Sequence, residues 1–413
     1  MIVSSLLLGG CGEKEQAGVT TIRVVYAEIG ESDLWVNLFA DFEKANPNIK
    51  LDLWQTPWQF VLDKMIISSA GGRPPDVTII LGNDFPSAAA KGLFEPLDDY
   101  VKRDKSFDFE DFFPEAVTAA GLYKGTLYGI PLGPDIFCMF YNKTMFDKYH
   151  LPYPDWSWDW KKWVEVTGKL TRDTNGDGRI DQWGTGTDPF WSSYVYQNGG
   201  SLLNSDLTRC TLNRPEAYEA IQWRCDLVNK RHAAPSPQEI SLVGEVNLFC
   251  NGRLGTLVLG AWATKCFFKD QVKTFAYDVA APPKGKVRAS YVEGSCWCIL
   301  KGSKHKKEAW ELVKWMTSKE VQRRLLFDEQ TLPSRSSLTA SGLFASIPGP
   351  PKNKQVFVDM IPYGRGIPPV PSGPEMLEVM TSEITLAILG KETAKEACER
   401  VTPVIDQMLR HQE

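Results

Sequence analysis

The chain has 413 residues, 43% of them hydrophobic and 23% charged, with a formal net charge of −5. That balance belongs to a globular protein long enough for two or three domains, and its acidic sign gives no electrostatic footprint for nucleic acid. No stretch reaches the roughly 18 uninterrupted apolar residues that a spanning helix needs. Aromatic residues stand out, with 14 Trp and 13 Tyr; each joins a broad apolar face to a polar edge and lines sites as readily as it fills cores.

The N-terminal run Ser4 to Leu8 is short and apolar and ends in Gly9-Gly10-Cys11, with a polar segment behind it. An apolar core followed by small residues reads as an export signal. The Leu-Gly-Gly-Cys end resembles the lipobox of bacterial lipoproteins, which implies lipid on Cys11 and residues 1–18 as signal and tether. No Lys or Arg precedes the apolar run, a departure that leaves an ordinary apolar N-terminus as the alternative. The other eight cysteines are even in number and permit disulfides, but spacing does not give connectivity. Cys296 and Cys298 would share one face of a strand, and buried free thiols are expected.

From Thr20 to Tyr26 a β-branched run predicts a buried strand. Leu34, Trp35, Leu38, Phe39 and Phe42 then follow the helical period, and Asn46-Pro47 ends that helix. A second strand is expected around Ile49 to Leu53, a helix over 58–69, and a third strand at Asp76 to Leu81. Strand alternating with helix predicts an α/β domain with a parallel sheet. Ligands of such sheets bind beyond the carboxyl ends of the strands, which makes Glu28, Glu31, Asn83 and Asp84 candidates by position.

Phe42-Glu43-Lys44-Ala45-Asn46-Pro47-Asn48-Ile49, Pro75-Asp76-Val77, Gly92 to Leu97 and Gly125 to Pro131 resemble, in order, segments of family 1 of the extracellular solute-binding proteins of ABC importers. Tyr141 to Phe146, Trp158-Asp159-Trp160, Gly252 to Gly255 and Leu332 to Arg335 continue the likeness over nearly the whole chain. The resemblance implies an α/β, two-lobe periplasmic-binding-protein-like fold (type II), with a hinge and an interlobe ligand cleft. It also implies a first lobe of 19–131 and 270–328 and a second of 132–269 and 329–413.

In the second lobe, the aromatic block Tyr153 to Trp163 is expected mostly to pack the helix that begins at Asp159. Asp173, Asn175, Asp177, Arg179 (through its carbonyl) and Asp181 sit at positions 1, 3, 5, 7 and 9 of a candidate calcium loop, with Gly178 at position 6. Position 12 is Gly184 where a bidentate Glu belongs, and a solvated Asx turn has the same composition. Calcium there would be structural, and no other cofactor is required. Trp191, in a loop before a helix, and Trp262, at a position that often faces ligand in the family, are aromatic candidates. Asp135, Glu293, Trp297, Arg335 and Tyr363 complete the set, Arg335 for its planar fork; a core place for Trp297 and an ion pair for Arg335 are the alternatives.

Carboxylates, amides and aromatic faces near strand ends suit a sugar. The resemblance implies an extracytoplasmic lipoprotein without enzymatic activity. It would work as a monomer, capture a sugar or oligosaccharide, close by a hinge motion and deliver the ligand to a membrane permease. An acidic sugar or glycerol phosphate, read from Arg335 and Arg365, and a sensor or adhesin role are alternatives. A glycosidase would need a carboxyl pair such as Asp135 and Glu293, and no hydrolase motif carries one.

Overall fold

Strand β1 (Thr20–Tyr26) is apolar on both faces because it is covered on both, with Ile22, Val24 and Val25 fully buried. The computed structural model describes residues 18–27, 33–187, 190–328 and 331–411, so Cys11, Glu28 and Glu31 lie outside the described residues. β1 runs parallel to β2 (Ile49–Gln55) on one side and to β3 (Val77–Leu81) on the other. The helix Leu34–Ala45 turns Trp35, Leu38, Phe39 and Phe42 onto this sheet, the stripe that the helical period predicts.

A small hairpin of β4 (Leu122–Tyr123) and β5 (Thr126–Leu127) precedes β6 (Gly129–Asn142), a strand of 14 residues. The remaining strands are β7 (Thr256–Gly260), β8 (Tyr277–Ala280), β9 (Ser290–Ile299) and β10 (Gly364–Arg365). The first half of β6 pairs antiparallel with β9, and its second half pairs with β7 and β8. β9 in turn pairs antiparallel with β3. The sheet is therefore mixed, parallel around β1 and where β10 meets β9, and the two long strands β6 and β9 pass from one lobe to the other.

The register of β6 on β9 shifts between Pro131 and Gly133. A side chain at Gly133 would place its Cβ 1.8 Å from the Leu332 carbonyl oxygen. The glycine thus lets the returning chain pass directly against the crossing strand at the hinge.

One expected boundary needs correction. Residues 270–291 belong to the second lobe, not the first. β8 pairs with the second-lobe half of β6, and Tyr277, Val279 and Ala281 pack in a cluster with Phe140, Phe249 and Phe268. Return to the first lobe happens inside β9, where Trp297 and Ile299 join the core of Ile22, Val24 and Ile79. Near the expected exit at residue 328 the two cores adjoin, with Leu325 in the first cluster and Leu326 in the second.

Helix Trp160–Leu170 starts where the sequence predicts, because the Asp159 carboxylate accepts from the Lys162 N–H at 2.7 Å. The eight cysteines from Cys138 to Cys398 are free thiols, all but Cys266 buried. Cys296 and Cys298 share one face of β9 with their sulfurs 3.5 Å apart, and Trp297 fills the other face. Among the described residues no helix is long and apolar enough to cross a membrane.

Candidate functional site: the interlobe cleft

β9 presents the polar centre of the site. Asp135 on β6 stands directly opposite Glu293 on β9 in the antiparallel register, so the two carboxylates share a face at cross-strand distance. Two steps further along, Ser295 pairs with Leu81 at the end of β3, and the Gly82 N–H donates to the Gly294 carbonyl at 2.7 Å. That pairing carries Asn83 and Asp84 to the same edge. The Asn83 amide donates to the Tyr291 phenol oxygen at 2.6 Å, and the Tyr291 hydroxyl donates to Glu293 at 3.3 Å. The Thr331 hydroxyl donates to Asp135 at 3.4 Å from the returning segment.

The carboxyl groups feel both burial and one another. Burial, with repulsion from Glu375 and Asp63 added, pushes Asp84 up to about 6. Burial and the Asp84 charge push Glu293 up to about 7, against a pull downward from the Tyr291 hydrogen bond. Asp135 is held well above the usual carboxylate range by burial first and by Glu293 second.

Aromatic walls enclose the neighbouring space. Trp35 and Trp58 from the first lobe, and Trp262 and Cys266 from the second, line a narrow cavity of about 30 Å³; Asp135, Ser295 and Thr331 are between them. The Trp58 indole nitrogen is buried and has no acceptor among the described residues. Phe190, in the loop before helix Ser192–Gln197, stacks on Tyr291 at 4.5 Å and holds that ring from behind. At the rim, β10 pairs with Ser290 and Tyr291. This places the 39%-exposed Tyr363 6.2 Å from the exposed Trp156, over which the Arg288 guanidinium sits.

Asn83, Asp84, Asp135, Trp262 and Glu293 therefore gather at the cleft, with Tyr363 at its rim. Three expected residues do not. Trp297 is fully buried, 5.9 Å from Trp35 and edge-on to Phe39, inside the first-lobe core. Trp191 is 2% exposed in the second-lobe core, and its indole N–H is spent on the Thr381 hydroxyl. Arg335, 3% exposed, donates to the Thr317 and Asp108 carbonyls, pairs with Asp111 and lies 4.2 Å over the Phe112 ring. Its bonds to these carbonyls and to Asp111 make it part of the scaffold, and it does not line the cavity of Trp58 and Trp262. Sequence reasoning missed Trp35, Trp58 and Tyr291; Trp58, just past a strand end and beside a helix start, carried the one positional signal that could have found it.

The 173–181 loop is exposed and closed by its own side chains. Asp173 accepts from the Gly176 and Gly178 N–H groups, Asn175 from Asp177, Asp177 from Arg179, and Asp181 from Thr174. Among the described residues no three His, Cys, Asp or Glu side chains are gathered as a metal-holding group.

Two α/β lobes joined by through-running strands, with a polar and aromatic cleft at the crossing, define a two-lobed ligand-binding protein. The model of the bacterial extracellular solute-binding protein family matches residues 27–323, and the chain belongs to that family. A galactooligosaccharide-binding protein of Bacillus subtilis is 22% identical over 420 residues, covering 96% of this chain and 92% of that one. An ABC substrate-binding protein from Listeria monocytogenes, solved in complex with cycloalternan, superposes with a TM-score of 0.88 at 26% identity, covering 95% of this chain and 99% of that one. The maltose-bound MalE3 of T. maritima shares the fold, with a TM-score of 0.80 at 18% identity over 94% of this chain and all of that one.

Proposed function

We propose that the protein captures a sugar or oligosaccharide in the interlobe cleft, outside the cytoplasm, and delivers it uncut to the membrane subunits of an ABC importer. One observation carries the reading: indole walls from both lobes flank a row of unspent carboxylate acceptors and a buried indole donor. A sugar offers each of these a partner, with apolar ring faces for Trp262 and hydroxyls that donate to Asp84, Asp135 and Glu293 and accept from Trp58. A relative named as galactooligosaccharide-binding and a similar structure in complex with cycloalternan support the same class. In this reading the protein acts as a monomer held to the membrane through lipid on Cys11.

Thermal melting of the mature chain against a panel of glycans tests it. A ligand at about 100 times its dissociation constant adds about 2.7 kcal/mol, a shift of a few degrees. Stabilisation by one glycan class, recovered intact, supports capture. A glycan recovered cleaved, or no response across the panel, overturns it. The calcium reading of the 173–181 loop rests on its residue order. A chelator that lowers the melting temperature of the parent but not of Asp177→Ala supports it, and an unchanged parent removes it.

A further inference from the structure

We propose that the glycan this cleft selects bears a protonated amine. The inference rests on the sugar-binding reading above and narrows it to a charge class.

Asp135 and Glu293 are direct cross-strand neighbours, an arrangement that like charges ordinarily disfavour. Asp84 arrives at the same edge from β3 and interacts with Glu293, while Asp63 and Glu375 add their charge from two further helices. Asp63 and Glu375 are exposed and contribute only their charge, whereas Asp84, Asp135 and Glu293 come from three different segments and gather at the hinge.

Nothing cationic answers them. Among the described residues no Lys or Arg is paired with Asp84, Asp135 or Glu293, and no cation figures among the charges acting on them. The short internal stretches outside the described residues (28–32, 188–189 and 329–330) contain no Lys or Arg either. The acidic residues elsewhere behave otherwise: Asp104, Asp111 and Asp328 each hold a lysine.

Hydrogen bonds within the protein also leave the cluster unspent. Tyr291 gives Glu293 one donor and Thr331 gives Asp135 one, whereas each ionised carboxylate has about four acceptor positions. Without a cation the cluster holds protons instead, with Glu293 pushed up to about 7 and Asp135 well above the usual carboxylate range, and neutral hydroxyls leave those protons in place. An ammonium fills the acceptor positions and lets the carboxyl groups release their protons and ionise as its partners, since buried charge is tolerated where it is paired. The Trp58 N–H in the adjoining cavity asks the same ligand for an acceptor oxygen, which a bare alkylamine lacks.

Calorimetric titration of the full chain, near neutral pH and at low salt, tests the inference with matched ligand series. These are short glucosamine oligomers and amino-deoxy malto-oligosaccharides, their N-acetylated forms, and the neutral parent glucans. The amine forms are expected to bind at least about tenfold tighter than both counterparts, with the gap narrowing as salt rises. In Asp84→Asn and in Glu293→Gln the amine-to-neutral affinity ratio should fall toward one; should either variant fail to fold, the other and the parent's own ligand series decide. A neutral or N-acetylated glycan that binds as tightly as its amine form overturns the inference and leaves glycan capture standing. No binding of any amine-bearing glycan also overturns it. An aliphatic diamine that matches the amine glycans overturns the sugar reading itself.

Discussion

The Asn83 amide donates to the Tyr291 phenol oxygen at 2.6 Å, and the two residues sit in different lobes, 208 positions apart. Tyr291 packs in the second-lobe core against Phe137 and Phe190, while Asn83 lies two residues past the third strand of the first lobe. One hydroxyl thus joins the lobes and also orients Glu293, to which it donates. Tyr291→Phe keeps the ring and removes both bonds. It is expected to cost about 1 kcal/mol of stability, the net worth of a hydrogen bond, and to weaken ligand binding by about tenfold because Glu293 loses its positioning partner. Titration beside a melting curve checks this; an unchanged affinity would make the bridge structural only.

Trp262 is placed by the glycine two residues before it. A Cβ on Gly260 would meet the Trp262 indole nitrogen at 2.3 Å, so only glycine lets the indole fold back over the strand and face the cavity. Trp262→Ala is expected to weaken glycan binding by roughly 1–3 kcal/mol, the loss of an aromatic anchor. Gly260→Ala should reproduce much of that loss while keeping every side chain of the site, because it displaces the indole. Affinity retained in both variants would remove Trp262 from the site.

How much of this was readable beforehand differs by feature. The strand end at Asn83 and Asp84 and the amphipathic helices follow from local spacing, which the chain itself records, while the helix start at Asp159 came from the family resemblance of Trp158-Asp159-Trp160. Lobe membership of 270–291 does not, because it depends on which half of β6 the strand Tyr277–Ala280 pairs with. The aromatic candidates divide for a similar reason. Trp191, Trp262 and Trp297 have the same chemistry, and the face each presents is set by partners far along the chain. Asp135 and Glu293 were visible as carboxylates, but their opposition is a product of register, set by the irregularity beside Gly133.

The carboxyl cluster sets a pH dependence with a definite sign. Glu293 and Asp84 hold protons more tightly folded, at about 7 and about 6, than in ordinary carboxyl groups at 4.5 and 3.8. Between those limits the folded chain binds more protons than the unfolded one, so stability falls as pH rises through the window. For Glu293 alone the loss is at most about 3 kcal/mol at 1.36 kcal/mol per unit. The ligand-free protein should therefore melt several degrees lower at mildly alkaline pH than at mildly acidic pH, and Glu293→Gln should flatten the slope. A melting temperature that rises across this window would contradict the arrangement of charges described.

Arg335 separates scaffold from site. Its guanidinium bonds two carbonyls and the Asp111 carboxylate and stacks on Phe112, while its backbone N–H is accepted by the Gln322 side chain. The Asp111 carboxylate also accepts from the Ser337 N–H and hydroxyl, so one arginine fastens helix ends and loop into a single knot. Arg335→Ala leaves the Thr317 and Asp108 carbonyls short of a donor, while Asp111 keeps Lys319 and Ser337, a class of change that costs about 1–3 kcal/mol. Arg335→Lys retains the charge but not the fork that reaches three acceptors at once, and should recover only part of the loss. Neither substitution should alter the dissociation constant of the fraction that folds, measured by titration below the melting transition. A weakened affinity at unchanged stability would return Arg335 to the ligand and reopen the cleft to anionic solutes.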